Sequence, residues 1–240
     1  MDKKKIKVVL FDLDGTLLPM DQDVFVKAYF GGIAKKLAAR GYKPEELINA
    51  IWVGTKAMIK NVSQKTNEEV FWDTFAEIYG EEKRADEVYF EEFYKTDFDN
   101  VQISCGFNEK AADAVGKIKD MGFKVALATN PIFPAIATRK RIAWAGLKPE
   151  DFELYTTYEN SRRCKPNPEY YMDIINALGV EAEECVMVGN DVTEDMVAAT
   201  LGMKVFLLKD CLINKEEKDL STFPQGSFDE LIEFIKNINN

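Results

Sequence analysis

Histidine is absent from all 240 residues. That absence removes imidazole general bases, imidazole metal ligands and Ser-His triads together. Hydrolytic chemistry in this chain must come from carboxylates, lysine, hydroxyls or a thiol. Thiols are scarce: the four cysteines, Cys105, Cys164, Cys185 and Cys211, form no Cys-x-x-Cys pair. Reduced thiols in a cytoplasmic protein are expected. Cys164 stands beside Lys165, but no base accompanies it, and it reads as a spectator. No apolar run approaches the ~18 residues of a membrane span, and the opening Met-Asp-Lys-Lys-Lys is not expected to be a signal peptide. Positive charge is also in short supply, 31 Lys and Arg against 41 Asp and Glu, for a net charge of −10. This balance argues against general nucleic-acid binding and against anionic membrane surfaces. It leaves an anionic substrate open, because one metal ion and one lysine reverse a local potential. With 46% hydrophobic and 30% charged residues and no low-complexity tract, the chain reads as a soluble globular protein. Its length allows one large domain, or one domain carrying an insertion.

What is present is organised around residues 8–17. Val8-Val9-Leu10-Phe11 is an apolar, partly β-branched run that predicts a buried parallel strand. It stops at Asp12-Leu13-Asp14-Gly15-Thr16, two carboxylates one residue apart followed by a glycine that permits a sharp turn. Open α/β sheets bind ligands beyond the carboxyl ends of their strands, so such a strand delivers charge to a cleft.

The segment from Asp21 to about Lys95 is helical in pattern. Val26, Phe30, Ile33 and Leu37 recur at helical spacing. Pro44 suits a first helical position, and Leu47, Ile51, Trp52, Met58 and Ile59 continue a stripe that reads as core. Thr66-x-x-Glu69 predicts a capping box, with Gly80 as the stop and a fourth helix over about Glu82 to Tyr94. The α/β pattern resumes near residue 100. Helices are predicted over about 109–121, 134–145, 169–178, 193–201 and 228–235, and strands over 123–128, 152–158, 185–188 and 203–208. This alternation implies a parallel sheet with right-handed crossovers.

Three strands end in polar residues that could share one edge: Asp12 and Asp14; Thr129 and Asn130; Asn190 and Asp191, with Asp195 one helical turn further on. Lys165 comes from the loop between the last two. Converging carboxylates without histidine suit a hard cation such as Mg²⁺, and the lysine and hydroxyl suit the oxygens of a phosphate. Two ionised carboxylates beside a phosphate dianion require such a counter-charge.

On these residues the chain resembles the haloacid dehalogenase superfamily. Asp12-Leu13-Asp14-Gly15-Thr16-Leu17 resembles its motif I, Thr129 motif II, Lys165 in Lys165-Pro166-Asn167-Pro168 motif III, and Val188-Gly189-Asn190-Asp191-Val192-Thr193-Glu194-Asp195 motif IV. The resemblance implies a Rossmann-like, three-layer α/β core over 1–18 and 101–240, with a helical C1-type cap over 19–100. The 129 − 12 = 117 residues between Asp12 and Thr129 hold that insertion, far more than the dozen or so a crossover needs. It implies Mg²⁺-dependent hydrolysis of a small-molecule phosphate ester. Asp12 would be the nucleophile, Asp14 the acid and base, and Thr129 and Lys165 would bind the phosphoryl group. Asn130 and Gly15 are further substrate-binding candidates. Asp14 separates phosphatases and phosphomutases from carbon–halogen-cleaving members, which lack it, so dehalogenation is not expected.

Motif IV departs from the usual pattern, in which an acid follows the glycine; here Asn190 does. Either Asn190 ligates the metal through its amide, or Asp191 takes that role and pairs in sequence with Asp195. The metal set is thus Asp12, Asp14, Asn190, Asp191 and Asp195, with Asp195 behind the direct ligand. Met20, Asp21 and Gln22 are expected to face the substrate, while Arg162 and Arg163 read as a solvated basic loop or anion binders. Two alternatives stand beside the phosphatase: a sugar phosphomutase, and a phospho-accepting or catalytically silent binding module.

Overall fold

The computed structural model describes residues 4–239. Strands β1 (Val8–Phe11), β2 (Lys124–Leu127), β3 (Cys185–Gly189), β4 (Lys204–Leu208) and β5 (Gln225–Gly226) form one sheet in the order β2-β1-β3-β4-β5. All four pairings are parallel. The chain leaves β1 for β2 on one side, then returns across β1 to β3 on the other. This reversal opens a crevice at the carboxyl end of β1, the place where open α/β sheets bind ligands.

Both faces of the sheet are covered, which is why β1 and β3 are uninterruptedly apolar. Val9, Phe11, Val125, Leu127, Val186 and Val188 point to one side and join the larger core. There they meet α5 (Glu109–Asp120), α6 (Ala135–Trp144) and α8 (Phe228–Lys236). Val8, Leu10, Ala126, Cys185 and Met187 point to the other, against Tyr170, Tyr171, Ile174 and Ile175 of α7 (Pro168–Leu178). The period-two alternation of strand side chains divides the core into these layers.

The helical segment contains α1 (Gln22–Ala38), α2 (Pro44–Ile59), α3 (Asn67–Tyr79) and α4 (Glu87–Thr96). Asp21 caps α1, Pro44 opens α2, and the Thr66–Glu69 capping box opens α3 as expected. An aromatic cluster joins this segment to the loop after β2 and to α6. Tyr29 lies 5.3 Å from Phe133, and Phe98 stacks 5.1 Å from Trp144. Such pairs contribute about 0.5–1.5 kcal/mol each beyond their buried area. The two strands of chain entering and leaving the segment run side by side: Met20 and Cys105 form an antiparallel bridge, and the Gly106 amide donates to the Pro19 carbonyl at 2.7 Å.

Three expectations shift, and one strand was not expected. The fourth helix starts at Glu87, after a 3₁₀ segment over Glu81–Asp86. The strand expected over 152–158 is a single bridge, Leu127 to Tyr155, on the outer edge of β2. The two-residue β5 is too short for any periodicity to announce. The helix expected from Thr193 is a turn followed by a 3₁₀ segment over Met196–Leu201. Asp191 Oδ1 accepts from the Thr193 and Glu194 amides at 2.7 and 2.8 Å, the bonds of a helix N-cap, yet the turn they begin runs on as 3₁₀ and not as α.

Candidate active site

Asp12 continues the β1 ladder for one residue, its amide donating to the Val188 carbonyl at 2.9 Å. The chain then folds back on itself, with the Gly15 amide donating to Leu18 O and the Leu18 amide to Leu13 O, both at 2.8 Å. Gly15 has φ +89°, and a Cβ there would lie 2.4 Å from Asn190 Nδ2. This glycine is therefore fixed by backbone conformation and by the approach of β3. It does not line the cavity, contrary to its expected contact with substrate.

Lys165 is buried behind the carboxylates. Its Nζ donates to Asp12 Oδ1 at 2.8 Å and to Asp195 Oδ1 at 2.6 Å. Burial opposes the charge on Lys165, but the Asp12 and Asp195 carboxylates outweigh it and hold the ammonium well above the usual lysine range. Thr16 Oγ1 donates to Asp12 Oδ2 at 3.0 Å or to Asn190 Oδ1 at 2.9 Å, having one proton for two acceptors. Asn190 Nδ2 donates to the Cys211 carbonyl at 2.6 Å. Asp195 Oδ2 accepts from the Asp191 amide at 2.9 Å. A Cβ on Gly189 would lie 2.0 Å from that same oxygen, so only glycine fits at the end of β3.

Asp12, Asp14, Thr129, Asn130, Asn190, Asp191 and Asp195 all border one cavity of about 210 Å³ at this sheet edge. Three buried oxygens in this group have no partner among the described residues: Asp14 Oδ1, Thr129 Oγ1 and Asn130 Oδ1. Orphaned buried polar atoms are costly unless something binds them. Asn130 Nδ2 donates to Glu194 Oε2 at 3.2 Å.

Two residues of the site were not anticipated. Arg141 on α6 is fully buried and pairs with Asp14 Oδ2 through Nη1, while its guanidinium lies 4.5 Å from the Phe133 ring centre. Its one sequence signal was a charge within the buried stripe of Ala137, Thr138 and Ile142. Burial raises the Asp14 pKa above the ordinary carboxylate value, against the pull of Arg141. Glu194 also lines the cavity, and burial, opposed by Lys165, raises it to about 7.

Other expected contacts fall elsewhere. Asp21 accepts from the Asp23 and Val24 amides as a helix cap and does not face the cavity, whereas Met20 and Gln22 do. Arg162 bonds Gln64 and Arg163 bonds Glu169 and Ser63, tying their loop to the α2–α3 turn. Trp52 and Ile59, expected in the core, are 40% and 42% exposed and form part of the cavity wall.

Among the described residues no three Cys, Asp or Glu side chains form a metal-binding group. Asp195 has both oxygens engaged, by Lys165 and by the Asp191 amide, and Asp14 is drawn to Arg141. Asp12, Asn190 and Asp191 remain as oxygen donors at the cavity, beside the unpartnered Asp14 Oδ1. That donor set, all oxygen with few side chains, fits a hard cation that keeps several waters.

A model of the haloacid dehalogenase-like hydrolases matches residues 6–201. The chain is 25% identical over 206 residues to a protein named pyrophosphatase PpaX from Bacillus pumilus, spanning 85% of this chain and 83% of that protein. A phosphatase structure from Thermococcus onnurineus superposes with a TM-score of 0.60 at 19% identity, over 98% of this chain and all of that one. A 2-haloacid dehalogenase structure from Pseudomonas syringae does so with a TM-score of 0.62 at 18% identity, over 96% of this chain and 98% of that one. The fold alone therefore does not separate the two chemistries.

Proposed function

From the membership of this chain in the haloacid dehalogenase-like hydrolases, we propose that it is a phosphatase: it hydrolyses a small phosphomonoester through an aspartyl-phosphate on Asp12. The observation that carries the reading is the joint approach of Asp12, Lys165 and Asp195 beside a cavity bordered by the unpartnered Thr129 Oγ1 and Asp14 Oδ1. Asp14 favours phosphoryl transfer over dehalogenation, since a departing alkoxide needs a proton and a departing halide does not.

An oxygen of Asp12 attacks phosphorus, the phosphorus–ester oxygen bond breaks, and Asp14 protonates the leaving alkoxide. Asp14 then takes a proton from water as that water attacks phosphorus and releases Asp12. Arg141 holds Asp14 Oδ2, which leaves Oδ1 toward the cavity for the proton. Thr129 donates to the phosphoryl group. Lys165 neutralises Asp12, and Asp195 fixes Lys165. Asp12, the backbone at Asp14, and Asp191 would hold Mg²⁺, which supplies positive charge for the phosphoryl oxygens when bound. We favour Asp191 over Asn190 for this role because the Asn190 amide is engaged by Thr16 and Cys211.

Residues 19–100 act as a cap over a core formed by 1–18 and 101–240. Supporting this division, Met20, Phe25, Trp52 and Ile59 of the helical segment close one side of the cavity. The paired linkers at Pro19–Met20 and Cys105–Gly106 form the hinge. Closure would exclude water from the intermediate. The four free cysteines fit a reducing cytoplasm. Among the described residues no helix is long and apolar enough to cross a membrane.

The test is release of inorganic phosphate from a panel of phosphate esters with Mg²⁺. Asp12→Asn and chelation by EDTA should each abolish it. Full activity in either refutes the reading, and an isomeric sugar phosphate in place of free phosphate would identify a mutase.

A further inference from the structure

The wall of the cavity says what kind of alcohol the ester carries. Besides the carboxylates it is lined by apolar side chains: Phe25, Val26, Trp52, Ile59, Ile132 and Phe133. Trp52 and Ile59 lie on one face of α2, seven residues apart, and remain substantially exposed beside the cavity. No lysine or arginine side chain lines the cavity among the described residues. The two buried cations beside it are already committed, Lys165 to Asp12 and Asp195, and Arg141 to Asp14. Asp12, Asp14, Asp191, Glu194 and Asp195 make the polar side strongly acidic. A transferring phosphoryl group uses the counter-charge available there. A second anion on the same molecule would be desolvated against apolar and acidic surface without a partner, which is unfavourable. The space is also small, about 210 Å³, against the ~300–1,000 Å³ usual for drug-sized ligands.

Resting on the phosphatase reading, we propose that the substrate is the phosphate monoester of a small, uncharged alcohol with an apolar or aromatic body, which packs on Trp52, Ile59 and Phe133. Esters carrying a carboxylate or a second phosphate are poor substrates, even though a relative is named a pyrophosphatase. Asn130, whose Oδ1 is unpartnered, can accept from the hydroxyl of the alcohol once it is released. Lys56 lies on the same exposed stretch of α2 but does not line the cavity, and it takes no part in selection.

The test compares benzyl phosphate with 2-phosphoglycolate, a primary-alcohol ester that adds a carboxylate, and with pyrophosphate, all with Mg²⁺. The wild type should favour benzyl phosphate by about tenfold or more in kcat/KM, the scale set by burying an aromatic ring. Trp52→Ala and Ile59→Ala should each erode that preference. Lys56→Ala should leave the preference as it is. Calorimetry on the Asp12→Asn protein reads the same selectivity as affinity, independent of turnover. Phosphate release with equal or better use of 2-phosphoglycolate or pyrophosphate overturns this inference and leaves the phosphatase reading standing. No phosphate release from any ester removes both.

Discussion

Replacing Lys165 by methionine keeps its length and apolar stem and removes only the ammonium. Two carboxylates that now share one cation at 2.8 and 2.6 Å are then left facing one another with almost no solvent. Breaking a buried pair by deleting one partner costs about 3–5 kcal/mol, a large part of the ~5–15 kcal/mol that holds a domain folded. For a chain of this size each kcal/mol lowers Tm by about 2–4 °C, so Lys165→Met should melt about 6–20 °C below the wild type at pH 7.5. Unpaired buried carboxylates have raised pKa values, so the folded variant takes up protons that the unfolded chain does not. The deficit should therefore shrink as pH falls towards 5. Adding Asp195→Asn should restore most of the stability by leaving one carboxylate in place of two. Activity should not return, because Asp12 still lacks its cation; a loss of about 10²–10³ in kcat is expected from removing one preorganised charge-stabilising donor. Calorimetric melts across pH, with phosphate release on the same samples, make the check. An unshifted, pH-independent Tm would show that Lys165 is not the counter-ion described above. So would a double variant that regains turnover.

Three further outcomes follow from the same geometry. Arg141→Met leaves the partly exposed Asp14 without its partner and should cost about 1–3 kcal/mol, less than a fully desolvated pair; Asp14→Asn in that background should recover stability without activity, as denaturant titration would read. Glu194 is raised to about 7 in the folded protein, so its contribution to stability is complete below about pH 4.5 and is lost as pH rises through about 7. Glu194→Gln removes this slope, so without added metal the variant should gain about 2–3 kcal/mol on the wild type between pH 5 and 7.5; parallel curves across that range would contradict the assignment. Gly189→Ala puts a methyl 2.0 Å from Asp195 Oδ2 and must displace it from Lys165, at a cost of about 1–3 kcal/mol. Gly116→Ala, a helical site with nothing within 4 Å, is the control and should stabilise slightly.

The legible parts of this molecule are those where one physical rule acts alone. β1 and β3 are apolar throughout because both of their faces are covered, and each stops at polar residues because the sheet edge begins there. Caps behave likewise, as at Thr66 and Glu69, because the bonds they make are local. Lys165 has no such signature. Its loop lacks periodicity, and its placement between Asp12 and Asp195 came from motif order, not from local propensity. Arg141 was missed because α6 has three basic residues in a row and a weak apolar stripe, so nothing singles out which of them turns inward until its buried face is known to meet the loop after β1. Trp52 and Ile59 expose the limit of the stripe argument: a cavity wall and a packed core demand the same side chains at the same spacing. The segment after Asp191 is capped as a helix would be, by Asp191 Oδ1 on the Thr193 and Glu194 amides, and its residue pattern does not distinguish an α-helix from the 3₁₀ segment that forms.

These failures share a cause that bears on function. Local rules missed Arg141, Trp52, Ile59 and the turn at 191–195, and all of them border or support the cavity. A core residue satisfies its neighbours; a residue at a binding site is left partly unsatisfied until a ligand arrives. Asp14 Oδ1, Thr129 Oγ1 and Asn130 Oδ1 show this in polar form, buried without partners. Trp52 and Ile59 show it in apolar form, with exposed surface beside the same space. One molecule that meets both Thr129 Oγ1 and a protonated Asp14 on one side and the apolar wall on the other must carry acceptor oxygens at one end and a hydrophobic body at the other. A phosphate ester of an apolar alcohol has that polarity built in, whereas inorganic pyrophosphate has two polar ends and would leave the side formed by Trp52 and Ile59 uncovered.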